Sequence, residues 1–303
     1  MEVIFISNIL QRRENEMSSK LKKKDLKPIE RNTKKHKIAQ KWGWVLKLPI
    51  IRQIFLKSQW PRGFDVEAGQ LLPVNLQMGE YEDAVVPKKL MDHFIDKAGT
   101  IVLMDCPCRV TNGCKNHSIE LGCIWMGKGA ANLDMENLPG GARGFVATKE
   151  QAKERVRLAI EDGLLPSLGK FRSDAKLYNV LDYQDELMNF CFCCSCCCVL
   201  AEIKYAIKIS DYKQFVSPLK GVSIKTDLEK CVGCGACFKV CIYNGLKMVN
   251  GKSVHTDNCL LCGRCETVCP EKAISITFDE NCNPDEIVDE IIQRYDEIVD
   301  ISG

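Results

Sequence analysis

Long apolar runs are missing from this chain: no stretch of about 18 apolar residues occurs in its 303 residues, which excludes an ordinary transmembrane helix. Met1 to Leu10 is apolar but carries Glu2 in place of a cationic start. It runs into Gln11, Arg12 and Arg13 with no small-residue cleavage site, so we expect no secretory leader. Met17 is an alternative start. No P-loop and no serine nucleophile elbow occurs, and neither Gly127 to Ala130 nor Gly140-Gly141 forms a dinucleotide fingerprint. Histidine is scarce, at four residues: His36, His93, His117 and His255. Only His117 is read as neighbouring a cysteine group, and a capping or surface role suits it better than ligation. Cysteine itself is absent before Cys106.

After that point cysteine is abundant. Of 19 in all, ten fall between Cys106 and Cys198, eight between Cys231 and Cys269, and Cys282 stands alone. In a chain that is not exported the thiols stay reduced, so clustered cysteine reads as metal ligation rather than disulfide. This sets the expected location as cytoplasmic.

Charge is split. The net charge is +2, but residues 1–62 carry 16 Lys/Arg against 5 Asp/Glu, leaving 26 against 35 in the remainder. A basic arm on an acidic body suggests an interaction segment. Without an aromatic-bearing recognition module, nucleic acid is not the expected partner. Residues 41–60 mix Trp42, Trp44 and Trp60 with aliphatics and Lys41, Lys47, Arg52 and Lys57. Such a segment can lie peripherally on the inner face of a membrane or, the reading we prefer, pack on the protein's own body.

From Gly63 the fold class expected is α+β. Pro87 to Ala98 has helical spacing, with Pro87 in the first turn and Gly99 at the stop. Thr100 to Met104 reads as a buried strand leading to Cys106. Thr148 to Asp162 reads as a helix with a Thr148/Gln151 capping box. Leu177 to Leu181 and Leu187 to Phe192 read as strands, and Val199 to Ile207 as a helix. Asn283 and Pro284 start an acidic amphipathic tail helix, expected to pack on the body. The divisions expected are a basic arm (1–62), a cysteine-rich α+β domain (63–216), a repeat-bearing domain (217–282) with pseudo-two-fold symmetry, and the tail helix (283–303).

The strongest motif is Cys231, Cys234, Cys237 and Cys241, with C-x₂-C-x₂-C-x₃-C spacing. It recurs 28 residues later as Cys259, Cys262, Cys265 and Cys269, followed by Pro270. Three closely spaced thiolates reach three iron corners of a cubane, and the fourth ligates the other cluster. This assigns one [4Fe–4S] cluster to Cys231, Cys234, Cys237 and Cys269. A second goes to Cys259, Cys262, Cys265 and Cys241. Gly233, Gly235 and Gly263 are expected to let the backbone approach the sulfurs. Zinc is the rival, but it prefers paired knuckles and needs no crossed arrangement. Leu246 to Val249 and Ala273 to Thr277 read as strands, with a hairpin at Asn250-Gly251.

The second group comprises Cys106, Cys108, Cys114 and Cys123, then Cys191, Cys193, Cys194, Cys196, Cys197 and Cys198. Adjacent thiolates repel, more so in low dielectric, and a multiply charged metal centre resolves the repulsion. Ten thiolates have capacity for two centres or one larger cluster. Iron–sulfur is favoured over zinc or copper; the ligand subset stays open.

Residues 224–278 resemble the bacterial two-cluster ferredoxins, which implies low-potential one-electron transfer and an unidentified redox protein partner. Ile242 departs from that pattern, standing where proline often follows the first motif. The wider stretch 64–278 resembles a family of 4Fe-4S dicluster domain proteins of anaerobic bacteria and archaea. The resemblance rests on Cys106 to Arg109, Gly113-Cys114 and the run Cys191 to Cys198, with Ser195 where proline is frequent. It implies a redox role and brings no reaction with it. Three functions are therefore in play: an electron-transfer protein, a reductase with its centre in the cysteine-rich domain, and a membrane-associated redox adaptor.

Overall fold

The computed structural model describes residues 66–74, 76, 86–198, 213 and 216–303. The basic arm, residues 41–60 and the helix expected over Val199 to Ile207 lie outside the described residues. No helix among the described residues is long and apolar enough to cross a membrane.

Six antiparallel strands form the main sheet: β1 (Val66–Leu71), β2 (Ile101–Met104), β3 (Ile124–Met126), β4 (Gly144–Val146), β5 (Leu165–Phe171) and β6 (Met188–Cys193). They lie in the order β1-β5-β6-β3-β2-β4. Period-two alternation divides their side chains between two faces. Ile101, Leu103, Ile124, Met126, Phe190 and Phe192 join the larger core. It includes helices α1 (Val86–Lys97) and α3 (Lys149–Glu161). Val102, Met104 and Trp125 point the other way, into a second core. Strand β6, with sequence MNFCFC, thus sends its phenylalanines under the helices and its Cys191 and Cys193 to the opposite side.

Several expected elements form for the expected reasons. In α3 the Thr148 Oγ1 accepts from Gln151 N–H, and Gln151 Oε1 accepts from Thr148 N–H, closing the capping box. The tail helix α7 (Pro284–Ile298) is capped by Asn283 and has Pro284 in its first turn. It packs on the body: buried Tyr295 meets Phe94 of α1 edge-on at 5.8 Å, and Phe94 meets Phe190 at 6.4 Å. Such pairs contribute about 0.5–1.5 kcal/mol beyond area burial.

One expected strand does not exist. Leu177 ends helix α4 (Arg172–Leu177), and Leu181 begins a 3₁₀ helix, Leu181–Glu186. Tyr178 and Val180 are buried while Leu177 and Leu181 are exposed, an alternation that imitates a strand. It arises instead from a helix C-terminus. Asn179 sits at φ +58°, Val180 N–H donates to Ala175 O at 2.8 Å and Asn179 N–H to Lys176 O at 3.4 Å, the two bonds of a Schellman motif.

The C-terminal repeat folds around two small sheets. Strand β7 (Val222–Thr226) pairs with β10 (Ile274–Phe278), and β8 (Leu246–Val249) pairs with β9 (Lys252–His255) through the Asn250-Gly251 turn. Two short helices, α5 (Ala236–Val240) and α6 (Arg264–Thr267), pack against each other. The repeat is joined to the main sheet at β1. There Leu71 N–H donates to Ser217 O and Ser217 N–H donates to Gly69 O, each at 2.9 Å. Val74 N–H donates to Cys262 O at 3.0 Å.

Candidate metal centres

None of the nineteen cysteines is in a disulfide. In the C-terminal repeat they sort into two small cavities. One is lined by Cys231, Cys234, Cys237 and Cys269, the other by Cys241, Cys259, Cys262 and Cys265. Each set takes three cysteines from one motif and the last from the other.

Local geometry repeats with the sequence. Gly235 (φ +75°) opens α5 and Gly263 (φ +73°) opens α6, 28 residues apart. Gly245 N–H donates to Cys241 Sγ at 3.2 Å, and Ala273 N–H donates to Cys269 Sγ at the same distance. Further N–H groups reach sulfur from Ser253 (Cys231, 3.5 Å) and Leu261 (Cys259, 3.4 Å). Donors of this kind stabilise thiolate and cluster sulfur. Gly233, Gly235 and Gly263 all have positive φ, and a Cβ at Gly233 would meet the Gly251 carbonyl oxygen at 2.1 Å rather than a sulfur.

The second cavity holds two groups that the spacing did not single out. His255 Nε2 lies 3.5 Å from Cys265 Sγ, and its Nδ1 lies 3.3 Å from Thr226 Oγ1. If the threonine hydroxyl donates to Nδ1, the Nε2 proton is left to donate to sulfur. Burial holds this imidazole below its ordinary pKa, hence neutral. Arg264 is buried, and its Nη1 has no partner among the described residues. Burial and the neighbouring Cys259 and Cys241 thiolates push the Cys262 thiol up to about 11. Metal-free ionisation is thus disfavoured in a site where a cationic centre would relieve it.

In the middle segment the two cysteine stretches meet. Cys106 caps α2 (Pro107–Asn112), with Pro107 at its first position. Asn112 Nδ2 donates to Cys108 O at 2.9 Å and to Cys197 O at 3.1 Å, tying the helix to the cysteine run. Gly122 is required by close approach: a Cβ there would stand 2.2 Å from both Cys106 N and Met104 O. A cavity of about 130 Å³ opens between these elements, against about 20 Å³ for each of the other two. Its walls include Cys106, Cys108, Cys123, Cys191, Cys193, Cys194 and Cys198, with Trp125, Asp174, Tyr178 and Asn189. Cys123 and Cys191 sulfurs stand 3.7 Å apart.

Charge in this cavity is balanced by Arg109, which is fully buried. Its Nη1 donates to Phe192 O at 2.9 Å and its Nη2 to Leu121 O. Burial alone would lower its pKa, but Cys106, Cys194 and Cys123 hold it above the ordinary value. A hydrogen bond from Cys108, then Arg109, draws Cys106 down to about 6 against its burial. Cys191 is driven well up, first by its hydrogen bond with Cys123 and then by burial. Arg109 Nε and Trp125 Nε1 are buried and unpartnered among the described residues. A dense set of soft donors beside one buried guanidinium and orphaned N–H groups fits an anionic metal–thiolate centre. Asp174 accepts from Asn189 Nδ2 at 2.6 Å, and burial raises it to about 6. The His117 imidazole, by contrast, pairs with Asp162 at 2.8 Å.

Four sulfurs, Cys194 of the cavity wall among them, converge more tightly. Cys114, Cys194, Cys196 and Cys197 place their Sγ atoms all within 4.8 Å of one another. Burial would raise the Cys114 thiol, but the N–H groups of Asn116 and His117 and the Cys197 and Cys196 thiols pull it below its ordinary value.

The family model for the 4Fe-4S dicluster domain matches residues 230–273, both motifs short of the last strand. That segment is a [4Fe–4S]-binding one. No curated protein and no solved structure matches the chain.

Proposed function

We propose that the chain is an electron-transfer protein holding two [4Fe–4S] clusters in its C-terminal repeat and a further iron–sulfur centre in the middle cavity. Cys231, Cys234, Cys237 and Cys269 hold the first cluster, and Cys241, Cys259, Cys262 and Cys265 the second. Cys106, Cys108, Cys123, Cys191, Cys193 and Cys198 supply the ligands of the third. The observation that carries the reading is the sorting of eight cysteines into two cavities, each completed by the last cysteine of the other motif. The 28-residue recurrence of glycine, helix and N–H···S bond supports a pseudo-two-fold module.

When bound, these clusters supply one-electron transfer between an outside redox protein and the middle centre. The chain's residues set the order. Cys234 is exposed, so the first quartet faces solvent and a docking partner. The second quartet faces inward. Cys262 packs against an apolar seam of Leu71, Val74, Ile242, Tyr243 and Leu260 that also contains Cys193 and Cys198 of the middle cavity. Ile242, unusual in place of proline, is fully buried in that seam. The seam excludes water and fixes the two sites side by side.

Reduction of anaerobically prepared protein with dithionite, followed by EPR, tests this reading. Spin–spin interaction between clusters is expected, and a single isolated signal accounting for all the iron would refute it. A reductase is the second reading, favoured by the roomier middle cavity and by Asp174 and Tyr178 in its wall. Substrate-dependent reoxidation of the reduced protein distinguishes it from a carrier.

A further inference from the structure

The ten middle cysteines do not form one set. Six of them line the larger cavity without belonging to the tight group: Cys106, Cys108, Cys123, Cys191, Cys193 and Cys198. The other four are Cys114, Cys194, Cys196 and Cys197.

We infer that Cys114, Cys194, Cys196 and Cys197 form a separate mononuclear site, in which four thiolates hold one zinc ion tetrahedrally. Spacing carries the inference. Four sulfurs each about 2.3 Å from a single zinc ion stand about 3.8 Å apart. Cys114 and Cys196 sulfurs are 3.7 Å apart, and all four lie within 4.8 Å. A cubane needs a wider set, because each thiolate holds a different iron corner around a shared sulfide core. The two quartets of the C-terminal repeat do not converge this closely, and among the described residues no other group of three or more metal-ligating side chains does.

Local structure supports the same ion. Gly113, at φ +57°, ends α2 and turns the chain so that Cys114 faces the run. Cys194, Cys196 and Cys197 come from the turn that follows β6. A metal here pins the loop after α2 to that turn, alongside the Asn112 bond to Cys197 O. Four thiolates fill the coordination of zinc and leave no open position, which is the pattern of a structural site. The site shares with the larger cavity only Cys194, whose charge Arg109 offsets.

The test is zinc and iron analysis of the full-length protein prepared without oxygen, with zinc-edge X-ray absorption. One zinc per chain is expected beside the full iron complement, with four sulfurs at about 2.3 Å and no nitrogen or oxygen. Cys114→Ser and Cys196→Ser are expected to lose that zinc while iron content and the reduced-state EPR stay unchanged. Where the variants do not fold, the absorption spectrum of the unaltered protein decides alone. Iron-replete protein without zinc overturns the inference. So does a nitrogen- or oxygen-rich shell, a high-spin ferric signal traced to these cysteines, or iron loss in Cys196→Ser. Iron content reads the proposed function and zinc reads this site, so the two fail separately.

Discussion

Replacing Cys231 and Cys269 together by alanine separates crossed from uncrossed ligation. The two residues are 38 positions apart and belong to different motifs, yet they line one cavity. In the crossed arrangement both serve the same cubane, so the double variant loses about four irons, no more than either single variant. If each motif instead held its own cluster, the double variant would lose about eight. The reciprocal pair, Cys231→Ala with Cys241→Ala, reverses the outcome. These residues lie in one motif but line different cavities, so crossed ligation costs about eight irons and uncrossed ligation about four. Colorimetric iron analysis on anaerobic protein, taken as the difference from the unaltered chain, reads each case independently of metal in the middle cavity. Additive loss in the first pair and non-additive loss in the second would refute the assignment.

Other perturbations have equally definite outcomes. His255→Leu removes the donor to Cys265 sulfur, which should lower the potential of one cluster; a differential of about 1 kcal/mol corresponds to about 43 mV for a one-electron couple, readable by titration. Tyr295→Ala empties a fully buried site against Phe94 and should cost about 3–5 kcal/mol in denaturant melts. Tyr295→Phe should be neutral or stabilising, because the buried hydroxyl has no partner among the described residues. Arg109→Leu leaves the middle thiolates without their buried cation, so iron beyond that of the C-terminal repeat should fall while the EPR of the repeat persists.

Much of the architecture was readable before the structure because its signals are local. The Thr148/Gln151 capping box, the Asn283-Pro284 start of α7 and the Asn250-Gly251 hairpin each declare themselves within a few residues. The cysteine spacing of the repeat is a local signal of the same kind. Leu177 to Leu181 misled because a Schellman turn buries alternate residues, as a strand does. Longer-range facts carried no such signal. Strand order β1-β5-β6-β3-β2-β4 depends on pairings between segments far apart in the chain. The division of the middle cysteines depends on the pleat of β6, which aims Cys191 and Cys193 away from Phe190 and Phe192, and on the turn that follows it. His255 went unnoticed because its neighbour in space, Cys265, is reached across the fold rather than along the sequence. Arg264, like Arg109, is buried, a fact invisible in the motif that contains it.

The measurement closest to the central claim is the iron and acid-labile sulfide content of the full chain prepared without oxygen. Two cubanes in the repeat account for about eight irons, so the account predicts clearly more than eight, with comparable sulfide and visible charge-transfer absorption. A count stopping at about eight would confine the clusters to the C-terminal repeat. A colourless protein with negligible sulfide would contradict the iron–sulfur reading of both cysteine groups.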